Sequence, residues 1–147
     1  MNQTKAVEIL LIEDNDEDAN LAIRSLKKQK IANSIFRVCD GVEALDYIFA
    51  KNEYKNRNVE DIPKLILLDL KMPKVNGMEV LKEIRENEVT KHIPVVVMTS
   101  SREERDITES YQLGVNSYIV KPVDFTKFAE AIHEIGFYWL VLNEPPI

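Results

Sequence analysis

Five short apolar runs punctuate the chain, and the segments between them carry hydrophobic residues at helical spacing. The first run, residues 7–12, holds Ile9, Leu10, Leu11 and Ile12 in succession. The others are residues 35–38, which is the weakest, then 65–68, 95–98 and 118–120. Runs this short with little polar alternation suit parallel strands that are covered on both faces. Between them, Ala19, Ala22, Ile23 and Leu26 share one helical face, as do Leu45, Ile48 and Phe49, then Met78, Leu81 and Ile84. Ile107 and Tyr111 mark a more polar fourth helix. Phe125, Phe128, Ala129, Ile132, Ile135 and Trp139 mark the fifth. Asp124 is placed to cap that last helix, and Gly114 to end the fourth. Five such β-α units predict a doubly wound α/β fold: an open, five-stranded parallel sheet with helices on both faces.

Composition adds bounds to this picture. With 147 residues, 45% hydrophobic and 30% charged, the chain can bury one substantial core. No shift in composition divides it, so a single domain over 1–147 is expected, with no output module and a hydrophobic C-terminal extension at 140–147. Residues 51–63 are polar, with three Asn, and are expected to form an extended loop before the third strand. A net charge of −6 without any offsetting Lys/Arg run argues against direct nucleic-acid binding. Cys39 is the only cysteine, which excludes an intramolecular disulfide and a Cys-based zinc site; its apolar setting predicts a buried thiol. Glu8 interrupts the N-terminal apolar run, and nothing approaches the ~18 apolar residues of a membrane span, so a cytoplasmic protein without membrane contact is expected.

The residues capable of chemistry sit where strands end. Glu13 and Asp14 follow the first strand, Asp69 the third, Thr99 the fourth and Lys121 the fifth. Open α/β sheets bind ligands beyond the carboxyl ends of their strands, where strand order reverses. If the order is 2-1-3-4-5, the first and third strands flank that point and three acids converge. Two carboxylates about 4 Å apart repel by roughly 4 kcal/mol at an effective dielectric near 20. Such a cluster retains a proton or binds a cation. All-oxygen ligation suits a hard divalent ion, Mg²⁺ first and Mn²⁺ second. Asp14 and Asp69 are the expected direct ligands, with Glu13 acting through water and the Lys71 carbonyl completing the shell. A carboxylate can also accept a phosphoryl group as an acyl phosphate, with Lys121 and the Thr99 hydroxyl stabilising the remaining charge.

Taken singly, these residues have ordinary explanations. Glu13 and Asp14 could form a strand-end turn, Thr99 a strand residue, Lys121 a surface charge. Asp16, Glu17 and Asp18 fit as acids complementing a helix N-terminus. His92 and His133 have no partner at a recognisable spacing and read as structural or surface residues. It is the joint occurrence of Glu13, Asp14, Asp69, Thr99 and Lys121 that points to phosphoryl chemistry.

The stretches Leu11-Ile12-Glu13-Asp14-Asn15, Leu67-Leu68-Asp69-Leu70-Lys71-Met72-Pro73, Val97-Met98-Thr99-Ser100 and Val120-Lys121-Pro122, with Gly77 following, resemble the signatures of two-component response-regulator receiver domains. The resemblance covers about residues 6–139. It implies the strand order 2-1-3-4-5 and a signalling protein rather than an enzyme, in which Asp69 takes a phosphoryl group from a sensor histidine kinase. It further implies a cis peptide before Pro122, a switch role for Tyr118 alongside Thr99, and a homodimer through the fourth helix, fifth strand and fifth helix. The long loop before the third strand, the Lys121-Pro122-Val123-Asp124-Phe125 stretch and the ending Phe137-Tyr138-Trp139-Leu140 resemble single-domain regulators of phytochrome-type kinases. Phe137, Tyr138 and Trp139 are then candidates for the dimer surface as well as for core packing.

Two departures from the family pattern stand out. Position 13 is Glu where Asp is commoner, which keeps the charge and lengthens the reach. Position 71 is Lys, whose ammonium is expected to contact the phosphoryl group or hinder an attacking water and so slow self-dephosphorylation. Three other readings use the same residues. A receiver-like binding module would not be phosphorylated at all. A Mg²⁺-dependent aspartyl phosphatase would want an acid at position 71. A flavin carrier would want a hydroxyl- and glycine-rich loop where Glu13 and Asp14 stand.

Overall fold

Each apolar run becomes one strand of a single parallel sheet, and each amphipathic segment a helix. The computed structural model describes residues 7–28, 34–72, 74–100, 102–121 and 124–144, the side chain of Phe125 excepted. The strands are β1 (Ile9–Ile12), β2 (Ile35–Val38), β3 (Leu65–Leu68), β4 (Val95–Thr99) and β5 (Ser117–Val120). They alternate with helices α1 (Asp16–Lys28), α2 (Gly41–Ile48), α3 (Gly77–Glu86), α4 (Glu104–Gln112) and α5 (Phe125–Phe137), and a π-helical turn follows at Tyr138–Leu142. The sheet order is β2-β1-β3-β4-β5, with all pairs parallel. This is the doubly wound α/β architecture expected from the pattern.

Alternation along the strands divides the apolar runs between two cores. Leu10, Ile12, Ile66, Leu68, Val95 and Val97 face one side, where Ala44, Ile48, Val80, Leu81 and Ile84 of α2 and α3 cover them. Ile9, Leu11, Leu65, Leu67, Val96 and Met98 face the other, under Ala19, Ala22 and Leu26 of α1 and Phe128 and Ile132 of α5. Cross-strand register keeps each face uniform: Ile9 pairs with Leu65, and Leu10 with Ile66. All of β1, β3 and β4 is buried, whereas β5 at one edge is half-buried throughout.

Local signals end the helices as expected. The Asp124 carboxylate accepts from the Thr126 and Lys127 N–H groups, capping α5. Gly114 follows α4 with φ of 77°, a left-handed conformation that a β-carbon would disfavour. The Arg85 side chain braces that turn. Its Nε donates to the Leu113 carbonyl, Nη2 to the Gly114 carbonyl and Nη1 to the Lys91 and Ile93 carbonyls, at 2.8–3.1 Å. One guanidinium thus ties the end of α3 to the entrances of β4 and β5.

Two expectations need correction. Residues 51–63 are more than an extended polar loop. A 3-10 turn at Asn52–Tyr54 lays Tyr54 edge-on to Phe36 and Tyr47, and the Arg57 guanidinium stacks over Tyr47 at 4.0 Å. The Tyr54 hydroxyl donates to Glu43 at 2.6 Å. Aromatic side chains distant in sequence supply a packing surface that local polarity conceals. Cys39 is exposed rather than buried. It follows the buried Val38, so alternation turns it outward, and its N–H joins the α2 capping turn by donating to Glu43. No helix among the described residues is long and apolar enough to cross a membrane.

Arg85→Met is expected to lower stability by about 2–4 kcal/mol, because three part-buried carbonyls and the exposed one of Gly114 lose their donor. Urea unfolding checks this; a loss below about 0.5 kcal/mol would show that water replaces the guanidinium.

Candidate functional site

The backbone ladder continues one residue beyond the strands and so fixes the reactive side chains. The Glu13 N–H donates to the Val38 carbonyl, the Asp69 N–H to Ile12 and the Lys121 N–H to Thr99, at 2.8–3.1 Å. Glu13, Asp69 and Thr99 are consequently buried, while Asp14, at the mouth, is exposed. Carboxylate oxygens of Glu13, Asp14 and Asp69 all lie within 4.8 Å of one another. The Lys121 ammonium reaches Glu13 Oε1 at 2.8 Å and Asp69 Oδ2 at 3.3 Å.

The loop after β3 is held close. The Gly77 N–H donates to the Leu70 carbonyl at 3.0 Å, and a β-carbon on Gly77 would collide with the Asp69 carbonyl and approach Leu70 Cα within 2.7 Å. Only a residue without a side chain lets α3 start this near Asp69. The Lys71 N–H donates to Asp69 Oδ1 at 3.2 Å. Its ammonium turns to α4, 3.5 Å from Glu103 and 3.4 Å from Asp106, rather than toward Asp69. The two acids raise the pKa of that ammonium, Asp106 most, and keep it charged.

Tyr118 is half-buried against the core under α2 and α3, paired in register with Val97, two residues before Thr99. Phe137 and Tyr138 are exposed, whereas Trp139 packs against the core under α1 and α5. Pro122 lies outside the described residues, and so does the cis peptide expected there.

Two site residues escaped the sequence reading. Asp18 Oδ2 sits 2.8 Å from the Lys121 ammonium, a partner 103 positions away. Arg37 donates from Nε to the Glu13 carbonyl at 2.9 Å and from Nη1 to Asp16 at 2.8 Å, bracing the turn that carries Glu13 and Asp14. Nothing local marks either contact. The acids of the first helical turn read as helix-dipole partners, and Arg37 lies inside the weakest of the apolar runs.

The response regulator receiver domain family matches residues 9–133. The chain belongs to that family. Its members are signalling phosphoacceptors rather than metabolic enzymes. The receiver is 40% identical over 138 residues to the probable methanogenesis regulatory protein FilR2 of Methanothrix harundinacea, covering 94% of this chain and 86% of that one. It is 39% identical over 132 residues to response regulator Rcp1 of Synechocystis sp., covering 90% and 88%. The crystal structure of Mn²⁺-bound Rcp1 matches with a TM-score of 0.87 at 38% identity, covering 95% of this chain and 98% of that one. That of the phosphorylated cyanobacterial phytochrome response regulator RcpA matches with a TM-score of 0.88 at 39% identity, covering 95% and 97%.

The charge balance of this receiver suits a divalent cation. Three carboxylates, from Glu13, Asp18 and Asp69, lie within 3.3 Å of one ammonium, and Asp14 joins Glu13 and Asp69 in the acid cluster. Burial, and next the nearby charge of Asp69, pushes the Glu13 carboxyl up to about 7 against the pull of Lys121. For Lys121, burial alone would favour loss of the proton. Hydrogen bonds to Asp18 and Glu13 and the charge of Asp69 outweigh it, and the ammonium stays charged. All the candidate ligand atoms are oxygens, the donor set of a hard ion.

The folded, metal-free receiver holds the Glu13 proton more tightly than the unfolded chain. Stability contributed by this group is therefore present below about pH 4.5 and lost as pH rises through about 7, by a few kcal/mol. A cation that needs Glu13 ionised reverses the loss. The gain in melting temperature on adding Mg²⁺ is expected to grow from pH 5.5 to pH 8; a gain independent of pH would contradict this account of Glu13.

Proposed function

We propose that this receiver carries a phosphoryl group on Asp69, donated by the phosphohistidine of a partner histidine kinase. The observation that carries the reading is the buried Asp69 carboxylate set within 4.8 Å of two further acids and 3.3 Å from the Lys121 ammonium. One Asp69 oxygen attacks phosphorus, a P–O bond forms, and the P–N bond to the departing imidazole breaks. Glu13, Asp14, Asp69 and the Lys71 carbonyl would hold a divalent ion, Mg²⁺ in this reading or Mn²⁺ in its place, which when bound would offset the negative charge of the carboxylates and the phosphoryl group.

Lys121 contributes positive charge to the incoming phosphoryl group, and the Thr99 hydroxyl a hydrogen bond. Phosphorylation adds nearly two negative charges. Thr99 and Tyr118 then shift a pre-existing equilibrium toward a different outer surface. The output of this receiver passes through protein contacts. The likeness to Rcp1 and RcpA favours a phytochrome-type kinase as its donor.

Incubation with acetyl phosphate and Mg²⁺, followed by intact-mass measurement, tests the reaction. One added phosphoryl group, lost in Asp69→Asn and in the absence of Mg²⁺, is expected. A receiver that gains no mass is a binding module, and one that gains it equally in Asp69→Asn carries the group on another residue; either result overturns the Asp69 reading.

A homodimer through α4, β5 and α5 belongs to the same proposal. The support is that Tyr111, Phe137 and Tyr138 are exposed by 41–52%. Sedimentation with and without an acyl-phosphate mimic is expected to reveal a dimer in at least one state; a monomer in both rejects it.

A further inference from the structure

The acid that sequence reading assigned to the helix dipole has left that task. Asn15 caps α1 by accepting the Asp18 N–H on Oδ1 at 2.8 Å. An acidic side chain at the third helical position ordinarily returns the favour by accepting the N–H of the cap residue. Here the Asn15 N–H donates to Glu13 Oε2 at 3.1 Å instead. The Asp18 carboxylate is thereby released from the helix end and reaches across to Lys121, at 2.8 Å.

An ammonium has three donors, and those of Lys121 have three acceptors in range: Glu13, Asp18 and Asp69. These partners are not equivalent. Glu13 and Asp69 belong to the cluster that can hold a cation, and Asp18 does not. Lysine and cation therefore compete for two carboxylates, and Asp18 stands outside the competition. It is also the most accessible of the three, with a third of its side chain exposed.

We propose that Asp18 is a positioning residue that seats Lys121 beside the acid cluster, so that the ammonium keeps a partner while Glu13 and Asp69 engage a cation. The inference rests on the metal-site reading above and assigns Asp18 a role in that site. Without Asp18, Lys121 divides its hydrogen bonds between Glu13 and Asp69 alone and opposes the ion more strongly.

Calorimetric titration of the full chain with Mg²⁺, without any phosphodonor, is the test. Asp18→Asn is expected to weaken Mg²⁺ binding roughly tenfold, the scale of one charged hydrogen bond. Asp18→Glu is expected to recover most of that loss. Glu17→Gln removes an equal charge from the same turn, at an exposed position, and is expected to change affinity less than about twofold. The decisive arm is the double variant. In a Lys121→Met background, Asp18→Asn is expected to change affinity less than about twofold, because Asp18 acts through the lysine. An equal loss in both backgrounds overturns the proposal and leaves the metal site standing, and so does a loss matched by Glu17→Gln. A wild-type chain that takes up no Mg²⁺ overturns the metal-site reading and this proposal together.

Discussion

A single ammonium shared among carboxylates is the interaction on which this receiver's site depends. Lys121 has only 13% of its side chain exposed, and three acids lie within 3.3 Å of its nitrogen. With Asp14 nearby, the negative charge exceeds what one lysine can neutralise. The excess is held in place by backbone, because Glu13 and Asp69 continue the hydrogen-bond ladder of strands that are buried on both faces. The fold therefore bears a repulsion that a divalent cation would relieve.

The scaffold secures this arrangement by close approach. Parallel strands bring all five carboxyl ends to one edge, and the reversal of strand order between β1 and β3 opens the crevice there. Gly77 admits α3 against the Asp69 carbonyl, and Arg37 holds the Glu13 carbonyl and Asp16 together. On the far edge, Arg85 gathers carbonyls from the loops entering β4 and β5. These contacts join sequence-distant segments, so small displacements at one strand end pass to its neighbours through packed backbone.

Lys71 illustrates how the site meets the surface. Its N–H is bonded to Asp69, and its ammonium to Glu103 and Asp106 at the start of α4. One residue spans the Asp69 carboxylate and the helix whose outer face belongs to the proposed dimer surface. The pair with Glu103 is exposed on both sides and individually weak.

Much of this was legible in the chain. Runs such as Leu65–Leu68 and the helical faces of α1, α3 and α5 determined an α/β sheet covered on both sides, because burial imposes its own period on local sequence. Glu13, Asp14, Asp69, Thr99 and Lys121 were recognisable because each directly follows or ends a strand, and the parallel fold makes strand ends neighbours. Tertiary structure decided the rest. It turned Cys39 outward, folded Tyr54 and Arg57 onto Tyr47, drew the Lys71 ammonium to α4, and aimed Asp18 at Lys121 in place of its own helix end. Each of these depends on a partner far along the chain, and a side chain's direction toward such a partner leaves no period in the sequence.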